Sequence, residues 1–470
     1  MMNNFMEKFA NILGSMSDFL YTWILVALLI ITGLYFSIRT NFVQIRLLPE
    51  ALRVITEKKS GSGISSFQAL MISTASRVGT GNIIGVALAI GTGGPGAVFW
   101  MWLLAIIGSA SAFIESTLAQ IYKTKDGDGF RGGPAYYIQT ALKSRPLGIL
   151  FSIFLIACFA YGFNALQAFN IGDSLKYYFP NYSNSILPII LGIVLALLTG
   201  IIIYGGVKRI GIITSGIVPI MALIYIGLGL FITIKNINLL PGVFKSIFLE
   251  AFNFKAIFGG GVGAFTSSCV MQGIKRGLFS NEAGMGSAPN AAATAYVSHP
   301  VKQGLVQMFS VFIDTIFICS TTAMILLCSG VSEGVGIQFV QNAVRANFGE
   351  FGIHFISIAI FLFAFSSLIG NYYYAEANIK FIKDSKTVLN IFRITCLIMI
   401  FFGTQMSLDA AWNLADCLMG IMAILNIIAI LLLGKIATKC LKDYTKQRKE
   451  GKNPVFKAKD IGINNTEYWN

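Results

Sequence analysis

The sequence predicts an all-α polytopic membrane protein, and three observations carry that prediction. Charged residues make up only 12% of the 470-residue chain against 55% hydrophobic ones, whereas a soluble domain carries roughly 25% charged residues. Apolar runs recur from Tyr21 to Leu433 with polar breaks between them, each long enough to cross a hydrocarbon core of about 30 Å. Glycine clusters interrupt two of these runs at mid-length. Because the bilayer core offers backbone groups no partner, each run must satisfy its own hydrogen bonds and is read as a helix.

About eleven spans follow in order: 17–38, 64–92, 97–122, 147–175, 185–205, 212–236, 257–296, 304–330, 351–382, 387–404 and 408–436. Span 1 is preceded by MMNNFMEKFANILGSMSDFL, which lacks a basic leader and a small-residue cleavage site, so it is read as a retained helix. The segment 41–57 is too charged to cross and reads as an interfacial amphipathic helix. Four regions result: 1–63 with the extra span and the interfacial helix, a first repeat over 64–236, a second over 257–436, and a basic tail over 437–470.

The formal charge of +14 matters less than where it sits. Lys and Arg concentrate after span 1 (Arg39 to Lys59), after span 3 (Lys123 to Arg145), after span 5 (Lys208, Arg209), after span 9 (Lys380 to Lys386) and in the tail. These segments share one side if the N-terminus is outside and the C-terminus cytoplasmic, as the positive-inside rule requires. The loops 93–96, 177–184 and 405–407 on the other side are poor in Lys and Arg; 237–256, with Lys245 and Lys255, is the exception. The tail is expected to lack a fold and interleaved aromatics, which argues against nucleic acid and for anionic lipid at the bilayer surface. Seven scattered cysteines without CxxC spacing read as small core residues.

Two spans differ from the others. Span 2 holds Gly79-Thr80-Gly81-Asn82, and the seventh region holds Gly259-Gly260-Gly261, then Gly273, Gly277, Gly284 and Gly286. Small residues serve close helix packing in membranes, but a cluster of them predicts a break. Span 2 runs from inside to outside and span 7 the other way, and each opens a set of five. That is the pattern of inverted repeats whose broken first helices line a midplane site.

A break at Val78–Asn82 frees amides and carbonyls at membrane depth, where unsatisfied groups are costly. A half-helix N-terminus suits a carboxylate, and a C-terminus suits a cation, so an amino acid zwitterion fits the two together. Asn164, Gln167 and Asn170 line one side of span 4, either bonding between helices or facing a cavity. Ser366 and Ser367, followed by Asn371, Tyr372, Tyr373 and Tyr374, offer hard oxygens to sodium. Intramembrane charges are functional suspects: Arg77, Glu115, Glu282 and Glu376 read as gate or packing ion pairs. Asp314 alone lies far from a span end, which favours sodium over protons as the coupling ion. His299 and His354 lack a spaced partner that would define a metal site, and nucleotide signatures are absent. No enzyme constellation and no cofactor are expected.

At these residues the sequence resembles the alanine or glycine:cation symporter family. The matching runs are 77–87 (RVGTGNIIGVA), 93–102 (GGPGAVFWMW), 115–120 (ESTLAQ), 132–134 (GGP), 276–289 (RGLFSNEAGMGSAP) and 299–304 (HPVKQG), with Gln167 and Asn170. The resemblance implies the leucine-transporter-like fold of two inverted five-helix repeats, and a multi-pass plasma-membrane carrier moving alanine or glycine with sodium by alternating access. It also implies that Gly79, Thr80, Gly81, Asn82 and Gln167 line the substrate site. Sodium would use Ser366, Ser367 and backbone carbonyls around Thr74 to Arg77. Where many members carry Trp before the tyrosines of span 9, this chain has Asn371, which enlarges the pocket beside Ser367 and points to glutamine as the alternative substrate. A channel is the alternative of another class; it would conduct without substrate.

Overall fold

The computed structural model describes residues 2–57, 64–127, 129–252, 268–331, 334–463 and 465–469. Gly259, Gly260, Gly261, Lys58, Lys59 and Lys255 lie outside them. Among the described residues the chain is helical almost throughout; its one sheet is the hairpin of Thr124–Asp126 and Gly129–Arg131.

Among the described residues, eight helices are long and apolar enough to cross a membrane. The shorter apolar helices Thr80–Gly93 and Leu187–Ile203 and the divided span 7 complete the expected set. Spans 2–6 and 7–11 form two five-helix repeats, each opening with a broken helix. Span 2 comprises Ser66–Arg77, a tight turn at Thr80–Asn82, and Ile84–Gly93. Its start is fixed by a reciprocal cap in which Ser65 accepts from the Gln68 amide at 3.1 Å and Gln68 accepts from the Ser65 amide at 3.0 Å. In span 7, Ser268–Asn281 is followed by non-helical residues 282–288 and the short helix Pro289–Ala292.

The two broken spans occupy the centre. Ser268–Asn281 packs on Ile84–Gly93 and on span 3 (Gly96–Ile121), while Ser66–Arg77 packs on span 6 (Gly206–Lys235) and span 9 (Glu350–Ile382). Nearly every residue from Ser66 to Ile90 is buried, although this stretch is among the more polar in the chain. The outer spans instead turn leucine and isoleucine outward, as at Leu197, Leu223 and Ile391, the side that acyl chains would cover. Spans that face lipid must be apolar, whereas a central span is free to carry polar groups if its neighbours satisfy them.

Three features depart from expectation. The last helix runs without interruption from Leu408 to Lys449, well past 436. The segment beyond it, expected to lack a fold, packs back on the same face: Phe456 donates its amide to Ser298 at 2.9 Å, and Trp469 donates Nε1 to the Gln120 carbonyl at 2.7 Å. Its aromatics are used on the chain itself, since buried Lys123 lies 4.0 Å from the ring of Phe130, 4.5 Å from Tyr468 and 4.9 Å from Trp469. His299 also has an acidic partner that its sequence neighbourhood does not show, Asp443 at 3.1 Å. We call this end of the molecule the tail face, and the opposite end the far face. All seven cysteines are unpaired.

Candidate functional site

Span 2 leaves helical geometry at Val78, where ψ is 83°, and at extended Gly79. The groups at the break are met from three directions. Asn82 turns its carboxamide back to accept the Gly79 amide at 3.0 Å, a local cap. Gln167 of span 4 accepts the Thr80 amide at 3.2 Å, and Asn170 donates to the Thr80 hydroxyl at 2.7 Å. Thr322 of span 8 donates to the Asn82 carbonyl at 2.6 Å. Neighbours close in because two positions carry no side chain. A Cβ on Gly79 would meet Ser367 Oγ and, at 3.0 Å, Gln167 Nε2; on Gly81 it would stand 2.6 Å from the ring of Phe279.

The expected substrate residues Gly79, Thr80, Gly81, Asn82, Gln167 and Ser367 therefore meet at one place. Asn371 stands beside them through Ser76, which donates to its Oδ1 at 2.7 Å, while its Nδ2 donates to Asn164 at 3.1 Å. All three span 4 amides thus face spans 2 and 9. The sodium candidates separate. Both serines donate to the Phe363 carbonyl of their own helix, but Ser367 also reaches the Ala75 carbonyl of span 2 at 3.0 Å, whereas the adjacent Ser366 faces Met221 of span 6. The Thr74 and Arg77 carbonyls already accept from the Val78 amide at 2.7 Å and the Gly79 amide at 2.9 Å. Among the described residues, Thr74 Oγ1 and Asn170 Oδ1 are buried without a partner. Such atoms cost about 1–3 kcal/mol each, and a ligand here would relieve that.

The sequence reading left Asp314 out of the site, and the structure puts it there. A π-helical stretch, Phe312–Cys319, turns its carboxylate toward the break, as such stretches often do at functional positions. Asp314 accepts from Asn82 Nδ2 at 2.6 Å, Ser280 at 2.8 Å and Thr315 at 2.9 Å. Asp314 makes no ion pair among the described residues. Buried charges are paired or bind cations, so this lone mid-span acid was the available signal.

The break in span 7 is longer and is built by backbone conformation. Glu282, Gly284 and Gly286 all have φ between 53° and 85°, and at the two glycines this left-handed geometry carries little steric cost. Gly273 and Gly277 do something else: they let the helix close on Ala97, Trp100 and Met101 of span 3. Glu115, expected in an ion pair, instead accepts the Gly284 amide at 3.3 Å, the Gly286 amide at 3.0 Å and Asn426 Nδ2 at 2.7 Å. Amides freed by the break need an acceptor, and a carboxylate serves two at once. Of the gate candidates only Arg77 and Glu282 approach each other, at 3.9 Å; Arg77 also donates to Ser310. Glu282, expected to follow the break, lies within it and accepts from Ser287 at 2.6 Å. Glu376 belongs to a separate group on the tail face, with Tyr372 at 2.5 Å and Lys380 at 3.1 Å.

A further cluster, not anticipated, covers the site on the far face. Arg276 forms a two-pronged pair with buried Asp416 at 3.2 and 2.9 Å, and Lys275 adds a contact at 3.2 Å. The Arg276 guanidinium lies 4.3 Å from Trp412, whose ring is 5.0 Å from Phe279, and Phe279 stands 4.7 Å from Phe163. Arg276 was visible in a motif, but its partner is 140 residues away.

Comparison with known proteins gives a consistent picture. The family model described as the sodium:alanine symporter family matches residues 6–458. Two relatives from Bacillus subtilis (strain 168) are similar over almost their whole length. The amino-acid carrier protein AlsT is 52% identical, covering 99% of this chain and 98% of that one. The probable sodium/glutamine symporter GlnT is 48% identical, covering 98% and 96%. Among solved structures, MhsT in complex with L-phenylalanine superposes with a TM-score of 0.57 at 16% identity, over 82% of this chain and 96% of that one; this likeness concerns the fold.

Proposed function

Since the chain belongs to the sodium:alanine symporter family, a family of membrane transporters, we propose that it imports a small neutral amino acid, alanine or glycine, together with sodium. The observation that carries this reading is the break at Gly79–Asn82, a point in mid-span where backbone donors, carboxamides, hydroxyls and one unpaired carboxylate converge. The amino acid's carboxylate would take amide donors at the start of the far half of span 2, where the helix dipole is favourable. Sodium, a hard cation, would take oxygens: Ser367, Thr74 and the Ala75 carbonyl on one side, Asp314 on the other. Ser366 plays no part in this arrangement. The Asp314 carboxylate would balance the cation's charge, so filling the site would neutralise a buried carboxylate. Sodium binding would thereby order the break and raise affinity for the zwitterion, a coupling limited by how strongly sodium prefers that state. The tail face is cytoplasmic in this reading, with the N-terminus outside and the protein in the plasma membrane.

Glutamine is the second reading, favoured by one observation: Asn371 and Asn164 form a carboxamide pair beside Gln167 that a longer amide side chain could join. A channel finds no support in relatives that are carriers. The test is uptake of labelled alanine into proteoliposomes under an inward sodium gradient, with glycine, serine and glutamine as competitors. Sodium-dependent accumulation competed best by alanine or glycine is expected. Equal uptake under a potassium gradient would overturn sodium coupling, and strongest competition by glutamine would move the substrate to the second reading.

A further inference from the structure

On the tail face, away from the transport site, a recess of about 250 Å³ opens between the interfacial helices Val43–Arg46 and Leu48–Ile55 and the end of the last helix. We propose that this recess binds the phosphate headgroup of an anionic phospholipid. Its charges are unbalanced. Glu50, its only acid, is fully engaged: Arg53 at 2.8 Å, Arg448 at 3.0 Å and the Tyr444 hydroxyl at 2.6 Å all point at it. Burial alone would raise the Glu50 carboxyl, but hydrogen bonds from Arg53 and Tyr444 and the charges of Arg53 and Arg448 hold it below the usual carboxylate range, so it stays ionised. Arg46 and Lys449 on the recess wall are exposed and form no ion pair among the described residues. Arg46 spends one guanidinium nitrogen on the Thr40 carbonyl at 3.3 Å, so two cations without a carboxylate partner among the described residues flank the hollow, which suits a phosphodiester.

The surroundings favour a lipid over free phosphate. Ile45 and Leu52 are 64% and 49% exposed on the same helices and Phe42, just before them, is 49% exposed, while Val43, Ala51 and Val54 are buried. The segment therefore presents an apolar shelf beside a basic hollow, the arrangement of a helix lying at the bilayer surface. Acyl chains would rest on the shelf and the headgroup would sit in the recess. The proposal does not depend on which amino acid or ion is carried.

Native mass spectrometry of the full-length protein tests it, comparing phosphatidylglycerol with phosphatidylcholine. Arg46→Ala/Lys449→Ala should lower phosphatidylglycerol affinity about thirtyfold, since each basic residue near an anionic headgroup contributes about fivefold. Lys457→Ala/Lys459→Ala, which removes two exposed tail charges outside the recess, should leave it unchanged. Equal loss in both variants would mean diffuse attraction and overturn the site. Equal retention of phosphatidylcholine would overturn the charge argument, and displacement by millimolar inorganic phosphate would overturn the lipid. Should the double variant fail to fold, Lys449→Gln alone should still give about a fivefold loss, and no loss would count against the proposal.

Discussion

The two broken helices open equivalent repeats, yet they are closed by opposite chemistry. In span 2 the freed groups are met by neutral partners, Asn82, Gln167 and Thr322, with Asn170 on the Thr80 hydroxyl, and two buried polar atoms nearby have no partner among the described residues. In span 7 the freed amides of Gly284 and Gly286 end on the buried carboxylate of Glu115, itself held by Asn426. A neutral hydrogen bond is worth a net of about 1 kcal/mol, so the first arrangement exchanges partners with a ligand easily. A hydrogen bond to a carboxylate is worth about 1.5–3 kcal/mol, and Glu115 makes three of them, so the second does not. One break is built to bind and the other to hold.

Four substitutions test that contrast, from the largest effect down. Glu115→Ala should destabilise the fold by about 3–5 kcal/mol, because two amides and Asn426 lose their acceptor at about 1–3 kcal/mol each; thermal unfolding in detergent reads it. A Glu115→Ala protein with wild-type stability would erase the contrast. Asn82→Ala should cost about 2–4 kcal/mol of stability, because the bonds to Gly79 and Asp314 go with it, and should abolish most alanine uptake in the protein that still folds, because the break loses its cap. Near-normal uptake would remove Asn82 from the site. Asp314→Asn should raise the sodium concentration for half-maximal uptake about tenfold, as expected when a hard cation loses a charged oxygen; an unchanged sodium curve would place the ion elsewhere. The smallest effect is expected for Asn371→Trp, which exchanges a carboxamide for an indole and should shift competition toward alanine and glycine over glutamine by a few-fold. An unchanged ratio of competitors would clear Asn371 of any role in selectivity.

The legibility of the site follows the same division. Gly79-Thr80-Gly81-Asn82 announced itself because four polar or small residues inside an apolar run have few uses. Ser366 and Ser367 were equally visible, but only the helix rotation separates them: one faces Met221 and the other the Ala75 carbonyl. Glu115 was noticed as a charge and assigned the wrong kind of partner, since nothing near it in sequence announces two freed amides in span 7. Asp314 stood out for its isolation, but its approach to Asn82 depends on a π-helical stretch that hydropathy does not register.

The sequence by itself determined the number of spans, the two interruptions and the family, because hydropathy, glycine content and short motifs are local properties of the chain. Tertiary structure alone decided the pairings Arg276 with Asp416, Glu115 with Asn426, His299 with Asp443 and Asp314 with Asn82. Each joins residues more than a hundred positions apart. Which side chains meet at that distance is set by how far each helix is rotated and shifted against its neighbours, and those quantities exist only once the helices are packed.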